Sequence, residues 1–280
     1  MNEQLTAIRD AQRESWNKFS PGWKKWDNLT MDFLEPMGKA IIDSIRPADN
    51  DRILDIASGT GEPGLTIASM AKNGTVVLTD VSEKMLEVAK ENADHRGIDN
   101  IEIVATDVSE MPFADESFDK ISCRMGFMFF PDMQLAANEM ARVLKKGGRI
   151  ATSVWDGPQQ NFWVTAIKDT IEANMQLDPP PPGSPGMFRC ATPGLMKSIF
   201  EKAGFKNITE SPVNSKVHAG KVDTYWNMMT EVAAPFVTAL SKADDATRQK
   251  IREEVFAKVK ERYPGEVNID AKAIVISAEK

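Results

Sequence analysis

The sequence predicts an α/β protein built on a doubly wound parallel sheet, and three observations predict it. The run Arg-Ile-Leu-Asp-Ile-Ala-Ser-Gly-Thr-Gly-Glu-Pro-Gly over Arg52–Gly64 is an apolar, β-branched strand that ends in small residues before a helical pattern begins. Further apolar runs end in acids, at Asp80 and Asp107. Strand-like and helix-like segments then alternate as far as Trp155, the pattern of right-handed β-α units wound on one sheet.

Residues 3–50 read as amphipathic helix in pieces, with an aromatic cluster of Trp16, Phe19, Trp23 and Trp26 near Pro21 and Gly22. This is either an arm packed on the core or a lid whose rings exclude water from a ligand. Arg46-Pro47-Ala48-Asp49 is the turn before the first strand. Gly59 and Gly61 allow a tight turn and close approach of backbone to a ligand. Pro63 suits the first turn of a helix running to about Lys72, which Asn73-Gly74 ends.

Thr75–Asp80 is the second strand, and Ser82 is the N-cap of a helix running to about Asp94. Ile101–Ala105 is the third strand, followed by Thr106-Asp107-Val108. A proline-containing loop from Met111 leads into strand four, Phe118–Cys123. The apolar loop Arg124–Asp132 follows a parallel strand, where ligands sit in such folds, and so reads as a pocket lining. Asp132 caps a helix over Met133–Leu144, Lys145-Lys146-Gly147-Gly148 breaks it, and Arg149–Trp155 is strand five.

The remainder is less regular. Gln160–Leu177 and Thr192–Ala203 read as helices, and Pro179-Pro180-Pro181-Pro182-Gly183 between them as a stiff extended linker. Phe205–Val217 reads as extended, Asp223–Arg262 as largely helical, and Ala273–Ala278 as a last strand.

The 280 residues are 42% hydrophobic and 27% charged, which fits a soluble globular protein. A net charge of −7 disfavours nucleic acid or an anionic membrane as the main partner, because both require a basic face. The two cysteines, Cys123 and Cys190, read as reduced cysteines of a cytoplasmic protein. No signal peptide is read over Met1–Asp10, and no apolar run approaches the ~20 residues of a membrane span. The two histidines and two cysteines lack zinc spacing, and neither G-x-S-x-G nor a P-loop lysine occurs, so no metal is expected and hydrolase or NTPase chemistry loses ground.

Gly59, Gly61 and Gly64 spell G-x-G-x-x-G, which a dinucleotide site would also carry. Asp55 and Glu62, however, place negative charge where a pyrophosphate wants positive potential, and suit a cofactor bearing an ammonium and a sulfonium. Ile-Leu-Asp-Ile-Ala-Ser-Gly-Thr-Gly resembles the first motif of class I methyltransferases that use S-adenosylmethionine (SAM). The resemblance is closest to the branch of ubiquinone and menaquinone C-methyltransferases (methyltransferase type 11-like). Met111-Pro112-Phe113-Ala114-Asp115-Glu116-Ser117-Phe118-Asp119 resembles the P-F-x-D-x-x-F-D signature of the same branch. Ala57 departs from it where many members have glycine, and the resemblance covers about Arg52–Trp155.

The resemblance implies a Rossmann-like, seven-stranded, mostly parallel sheet whose last strand is antiparallel. Residues 1–50 would be a helical arm or lid, 51–219 and 265–280 the SAM-binding core, and 220–264 an inserted helical cap. SAM is the implied cofactor and S-adenosylhomocysteine its product. Asp80, 19 residues beyond Gly61, would take both ribose hydroxyls, as it would in an NAD site, and Asp107 the adenine amino group. The rest of the expected cofactor site is Asp55, Ala57, Gly59, Thr60, Gly61, Val81, Met85, Val108, Arg124 and Met125, with Trp16 closing over it.

Phe127, Met128, Trp155 and Tyr225 are the expected lining for a small hydrophobic or aromatic acceptor. His218 is either the base that activates the acceptor, as histidine side chains often do, or a surface histidine. An NAD(P)-dependent oxidoreductase and a catalytically silent SAM-binding subunit are the alternatives. The atom methylated (C, O, N or S) and the oligomeric state are left open.

Overall fold

The structure, a computed structural model, describes residues 3–178, 181 and 183–280. Of the expected proline linker, Pro179, Pro180 and Pro182 lie outside the described residues. Two helices come first, α1 (Glu3–Lys25) and α2 (Asp27–Ile45). They differ in how they bury. α2 drives Phe33, Leu34, Met37, Ile41, Ile42 and Ile45 into the interior, whereas α1 buries only Phe19 and Ser20 and lies over the surface.

Five parallel strands follow: β1 (Arg52–Ile56), β2 (Thr75–Asp80), β3 (Ile101–Ala105), β4 (Phe118–Arg124) and β5 (Leu144–Trp155). Three helices connect them, α3 (Gly64–Met70), α4 (Glu83–Arg96) and α5 (Met133–Val143). The expected caps are in place. Ser82 Oγ accepts from the Met85 amide at 3.1 Å, and Asp132 Oδ1 accepts from the Gln134 and Leu135 amides at 2.9 Å. After β5 come α6 (Phe162–Asn174), α7 (Leu195–Lys202) and β6 (Lys206–Gly220). Then α8 (Val222–Val232), α9 (Ala234–Ser241), α10 (Asp245–Arg262) and β7 (Val267–Glu279) complete the chain.

The sheet order is β3-β2-β1-β4-β5-β7-β6, and β7 runs antiparallel to both β5 and β6. The expected Rossmann-like sheet with an antiparallel last strand is therefore observed. Winding reverses between β1 and β4, and in sheets of this kind the crevice at the carboxyl ends of those strands is where ligands bind.

The last two strands are longer than their apolar runs suggest. Val267, Ile269, Ala271 and Ala273 alternate inward with Asn268, Asp270 and Lys272 between them, so β7 begins six residues before Ala273. The period-two pattern is the true signal, and the polar partners conceal it. The stretch Asp223–Arg262, read as largely helical, belongs to three helices, broken near Pro235 and at Asp244, whose carboxylate caps α10 at the Thr247 amide. No helix among the described residues is long and apolar enough to cross a membrane.

α1 is fastened at several points. Asn17 Oδ1 accepts from Ser82 Oγ at 2.7 Å, and Lys24 pairs with Glu91 on α4. On α8, Trp23 Nε1 donates to the Val232 carbonyl at 3.2 Å, and Trp26 Nε1 to Glu231 Oε2 at 3.0 Å. Gly22 permits this approach, because a Cβ there would collide with the Glu231 carbonyl.

Candidate active site

The carboxyl ends of β1 to β5 open into one cavity of about 650 Å³. That volume lies in the range of small-molecule sites, roughly 300–1,000 Å³. α1 roofs it with Arg9, Gln12, Ser15, Trp16 and Trp23, and α2 walls it with Thr30, Met31, Phe33 and Leu34.

The turn after β1 forms the floor. Ala57 and Gly59 have φ of 54° and 55°, a left-handed conformation that favours glycine. A Cβ on Gly59 would meet nothing within 4 Å, so this backbone lies open to the cavity. Gly64 serves packing instead, since a Cβ there would lie 2.7 Å from Asp55 Oδ2. Asp55 is fully buried beneath the turn, accepting from Ser122 Oγ at 2.6 Å and from the Gly64 amide at 3.1 Å. Burial pushes its carboxyl up to about 7, against the opposing pull of the Ser122 hydroxyl and the Arg124 charge. Asp55 and Gly61 therefore shape the turn from below and do not line the cavity, a correction to the expected list.

Asp80 and Asp107 stand at the polar end. Asp80 Oδ2 accepts from the Gly59 amide at 3.0 Å and Oδ1 from the Ser82 amide at 2.8 Å, tying the end of β2 to the glycine turn. Burial nevertheless raises its pKa. Asp107 Oδ1 accepts from the Ser109 amide at 2.8 Å, while its Oδ2 is buried with no hydrogen-bond partner and Arg9 Nε stands 3.9 Å off. A buried carboxylate oxygen at a cavity wall without a donor is an acceptor waiting for one. Val81, Met85, Val108, Thr60, Met125 and Trp16 also line this cavity.

A charged group lies beside the turn. Glu62 lines the cavity, pairs with Arg96 and accepts from Thr66 Oγ1 at 3.0 Å. Arg124 lines it too and lies within the fields of Glu62, Asp55 and Asp27, yet the one side-chain hydrogen bond it makes among the described residues goes to the Met31 sulfur at 3.2 Å. Asp27, at the start of α2, has a buried Oδ1 with no partner. Burial holds the Asp27 carboxyl above its ordinary range, against the opposing Thr60 hydroxyl and Arg124 charge.

The other end of the cavity is apolar. Phe33 stacks on Trp155 with centroids 5.4 Å apart, and Trp163 packs edge-on against both at 4.9 and 4.8 Å. Trp16 meets Phe129 edge-on at 5.2 Å, and Met228, Met229 and Val232 of α8 close the far wall. The lining side chains that titrate gather at the polar end, or, like Asp178 and Lys242, are exposed.

Three expected acceptor residues are placed elsewhere. Phe127–Phe129 forms a 3-10 turn that points Phe127 and Met128 into the core and leaves Phe129 for the cavity. Tyr225 is fully buried, and its hydroxyl donates to the Trp163 carbonyl at 2.6 Å. The cavity instead meets Met228 and Met229, about one helical turn further along α8. His218 lies outside the cavity. Its side chain is 55% exposed on β6, with Nδ1 3.1 Å from Asp32 Oδ2. Trp155 does line the cavity.

Sequence reasoning missed Met31, Phe33 and Trp163. They sit on α2 and α6, outside every motif, and only the packing of these helices against the sheet brings them to the strand ends.

The model of a methyltransferase domain family matches residues 47–207, more than half of the chain. The demethylmenaquinone methyltransferase of Clavibacter sepedonicus is 36% identical over 115 residues, 41% of this chain and 45% of that protein. The chain spans about half the length of the curated relatives it matches. Among solved structures, YcgJ from Bacillus subtilis is 20% identical with a TM-score of 0.59, covering 87% of this chain and 97% of that one. A Haemonchus contortus phosphoethanolamine N-methyltransferase in complex with SAM is 20% identical with a TM-score of 0.52, covering 87% of this chain and 52% of that one. At these identities the structural likeness speaks for the fold.

Proposed function

The chain belongs to the methyltransferase domain family, and on that premise we propose that it transfers a methyl group from SAM to a small, apolar or aromatic acceptor. One observation carries this reading: a single cavity joins an acid-bearing polar end at the strand tips to an aromatic and methionine-lined end. SAM would supply a methyl group already activated by its sulfonium.

The residues fit that cofactor. Asp80 would take the ribose hydroxyls, using lone pairs that the Gly59 and Ser82 amides leave free. Asp107 Oδ2, buried and unpartnered, would take the adenine amino group. The exposed backbone at Gly59 would let the chain approach closely.

The remaining work of the protein is alignment and exclusion of water. Phe33, Trp155 and Trp163 would give an aromatic acceptor ring contacts, stacked or edge-on, at about 0.5–1.5 kcal/mol per ring pair beyond area burial. α1 would act as the lid, with Trp16 and Trp23 between solvent and the reacting atoms. The inner acceptor wall carries no titratable side chain, so the reading favours an acceptor that arrives as a nucleophile, either ionised or with a free lone pair. Residues 220–264 would serve as a cap, with α8 setting the depth of the acceptor space.

The test has two stages. Calorimetric titration should show S-adenosylhomocysteine and SAM binding well above NADH. Tight NADH binding without a SAM response would replace this reading with an oxidoreductase. Incubation with SAM and a panel of phenols, hydroquinones and amines should then give a one-methyl mass increase on a member of the panel. Binding of SAM with no transfer to any acceptor class would favour a silent SAM-binding subunit.

A further inference from the structure

We infer that the acceptor enters through a doorway between α9 and residues 177–178 and 185–187, and that it is an elongated molecule with an apolar reacting end inside and a polar far end left in water; this rests on the proposal that SAM is the methyl donor. The exposure of the cavity walls locates the doorway. Among the described residues that line the cavity, the exposed ones are Asp178, Pro235, Thr238 and Lys242. The α1 roof over the polar end is different, because Arg9, Gln12, Ser15 and Trp16 are each half-buried. The cavity therefore meets solvent beside its acceptor end while α1 stays down.

Both sides of the doorway are anchored to the core. α9 turns one face to the cavity, with Ala234, Pro235, Thr238, Ala239 and Lys242 at helical spacing, and buries Phe236 and Leu240 on another. The cavity face of α9 is small as far as Thr238 and Ala239, which leaves room to pass. Pro185, Gly186 and Met187 form the other side. There the Gly186 amide donates to the Met128 carbonyl at 3.1 Å, and Arg189 donates to the Phe130 and Pro131 carbonyls. Further in, Phe33, Met228 and Met229 offer no strong hydrogen-bond partner. At the rim stand the Thr238 hydroxyl, the Lys242 ammonium and the Asp178 carboxylate. A polar group inside would lose its hydrogen bonds to water, whereas one at the rim keeps them. Thr238 and Ala239 thereby become determinants of which acceptors pass.

The experiment titrates two probes, biphenyl-4-ol and 4′-hydroxybiphenyl-4-carboxamide, into the full chain saturated with S-adenosylhomocysteine. They share a phenol head and a rigid body, and the second adds a polar group at the far end. The two should bind within about threefold of each other, whereas a closed end would strip the carboxamide of water and weaken it by about tenfold or more. Thr238→Cys then gives the doorway an accessible thiol, because Cys123 and Cys190 are buried. Coupling that thiol to a bulky maleimide should weaken both probes by about tenfold or more and change S-adenosylhomocysteine, bound at the remote polar end, by less than about twofold. The same label on Lys250→Cys, on α10 and outside the cavity lining, should leave both probes and S-adenosylhomocysteine unaffected.

Three results would overturn the doorway and leave the SAM reading standing: a loss of about tenfold or more from the carboxamide in the wild type, unchanged probe binding in labelled Thr238→Cys, or equal probe losses from the labels at 238 and 250. A label at 238 that weakens S-adenosylhomocysteine as much as the probes would overturn it too, because the opening would then serve the cofactor. So would binding of S-adenosylhomocysteine with neither probe. Failure of S-adenosylhomocysteine to bind the wild type would overturn the SAM reading itself, and the doorway with it. The carboxamide comparison uses unmodified protein, so it decides the matter even where a labelled variant fails to fold.

Discussion

Asn17 on α1 accepts a hydrogen bond from Ser82 at 2.7 Å, and the same Ser82 hydroxyl accepts from the Met85 amide to cap α4. The arm is thus fastened to the turn that follows Asp80, which the Ser82 amide also engages. A ligand that orders this turn should hold the arm down.

Asn17→Ala removes the acceptor of the Ser82 hydroxyl and of the exposed Lys84 amide and should loosen the arm at a cost of about 1 kcal/mol. Limited proteolysis within α1 should speed up while the core melting temperature changes little. S-adenosylhomocysteine should slow cleavage in both proteins. Cleavage equal with and without ligand would mark α1 as a fixed part of the core and remove the lid.

Asp80→Ala should fail in two ways that can be separated. It leaves the buried Ser82 amide and the half-buried Gly59 amide without acceptors, which should cost about 1–3 kcal/mol in stability at the first and less at the second. It should also remove the acceptor for the ribose diol and weaken S-adenosylhomocysteine by a similar amount. Asp80→Asn keeps one side-chain acceptor oxygen and should retain more stability than Asp80→Ala. Thermal melts report the first effect and calorimetry the second. Unchanged ligand affinity in a folded variant would make Asp80 a turn residue only.

The sheet and the polar end of the site were legible for a common reason. Strands β1 to β5 and the turns after them are local in sequence, so an apolar run, its glycines and its terminal acid can be read together, as at Gly59 and Asp80. Apart from Trp155, the apolar end was not legible, because nonlocal packing assembles it. Phe33 on α2, Trp155 on β5 and Trp163 on α6 meet only after the arm folds back across the sheet. Helix phase is equally decisive. Tyr225 and Met229 share α8 and look alike as apolar residues, but one faces the core and the other the cavity. His218 stood out as a rare residue, and the β6–β7 ladder carries it to another surface, beside Asp32 and Lys216.

That geometry makes His218→Ala and Tyr225→Phe a matched pair. His218→Ala should leave S-adenosylhomocysteine affinity unchanged and, once an acceptor is known, turnover as well. Tyr225→Phe removes a second donor from the Trp163 carbonyl, which α6 still engages, and should cost about 1 kcal/mol of stability while ligand affinity holds. A turnover loss on the order of 10²-fold or more in His218→Ala would restore it as a base and require β6 to move toward the cavity.

Asp55 gives the fold a pH dependence of definite sign. Its carboxyl ordinarily titrates at 3.8 and in the folded chain at about 7. Between those values the native state holds a proton that the unfolded chain has released, so stability falls as pH rises from about 4 to about 7 and levels off above. Each tenfold in proton affinity is worth about 1.4 kcal/mol, so the ionised carboxylate costs the fold on the order of 4 kcal/mol at high pH. Asp55→Asn removes the titration while keeping both contacts. The amide oxygen can accept from the Gly64 amide, and the amide nitrogen can donate to Ser122 Oγ, which turns to accept. The variant's melting temperature should therefore be nearly flat across this window and exceed that of the wild type at its upper end. An unaltered slope in Asp55→Asn would show that the charge of Arg124 keeps Asp55 ionised throughout, and that another group sets the pH dependence.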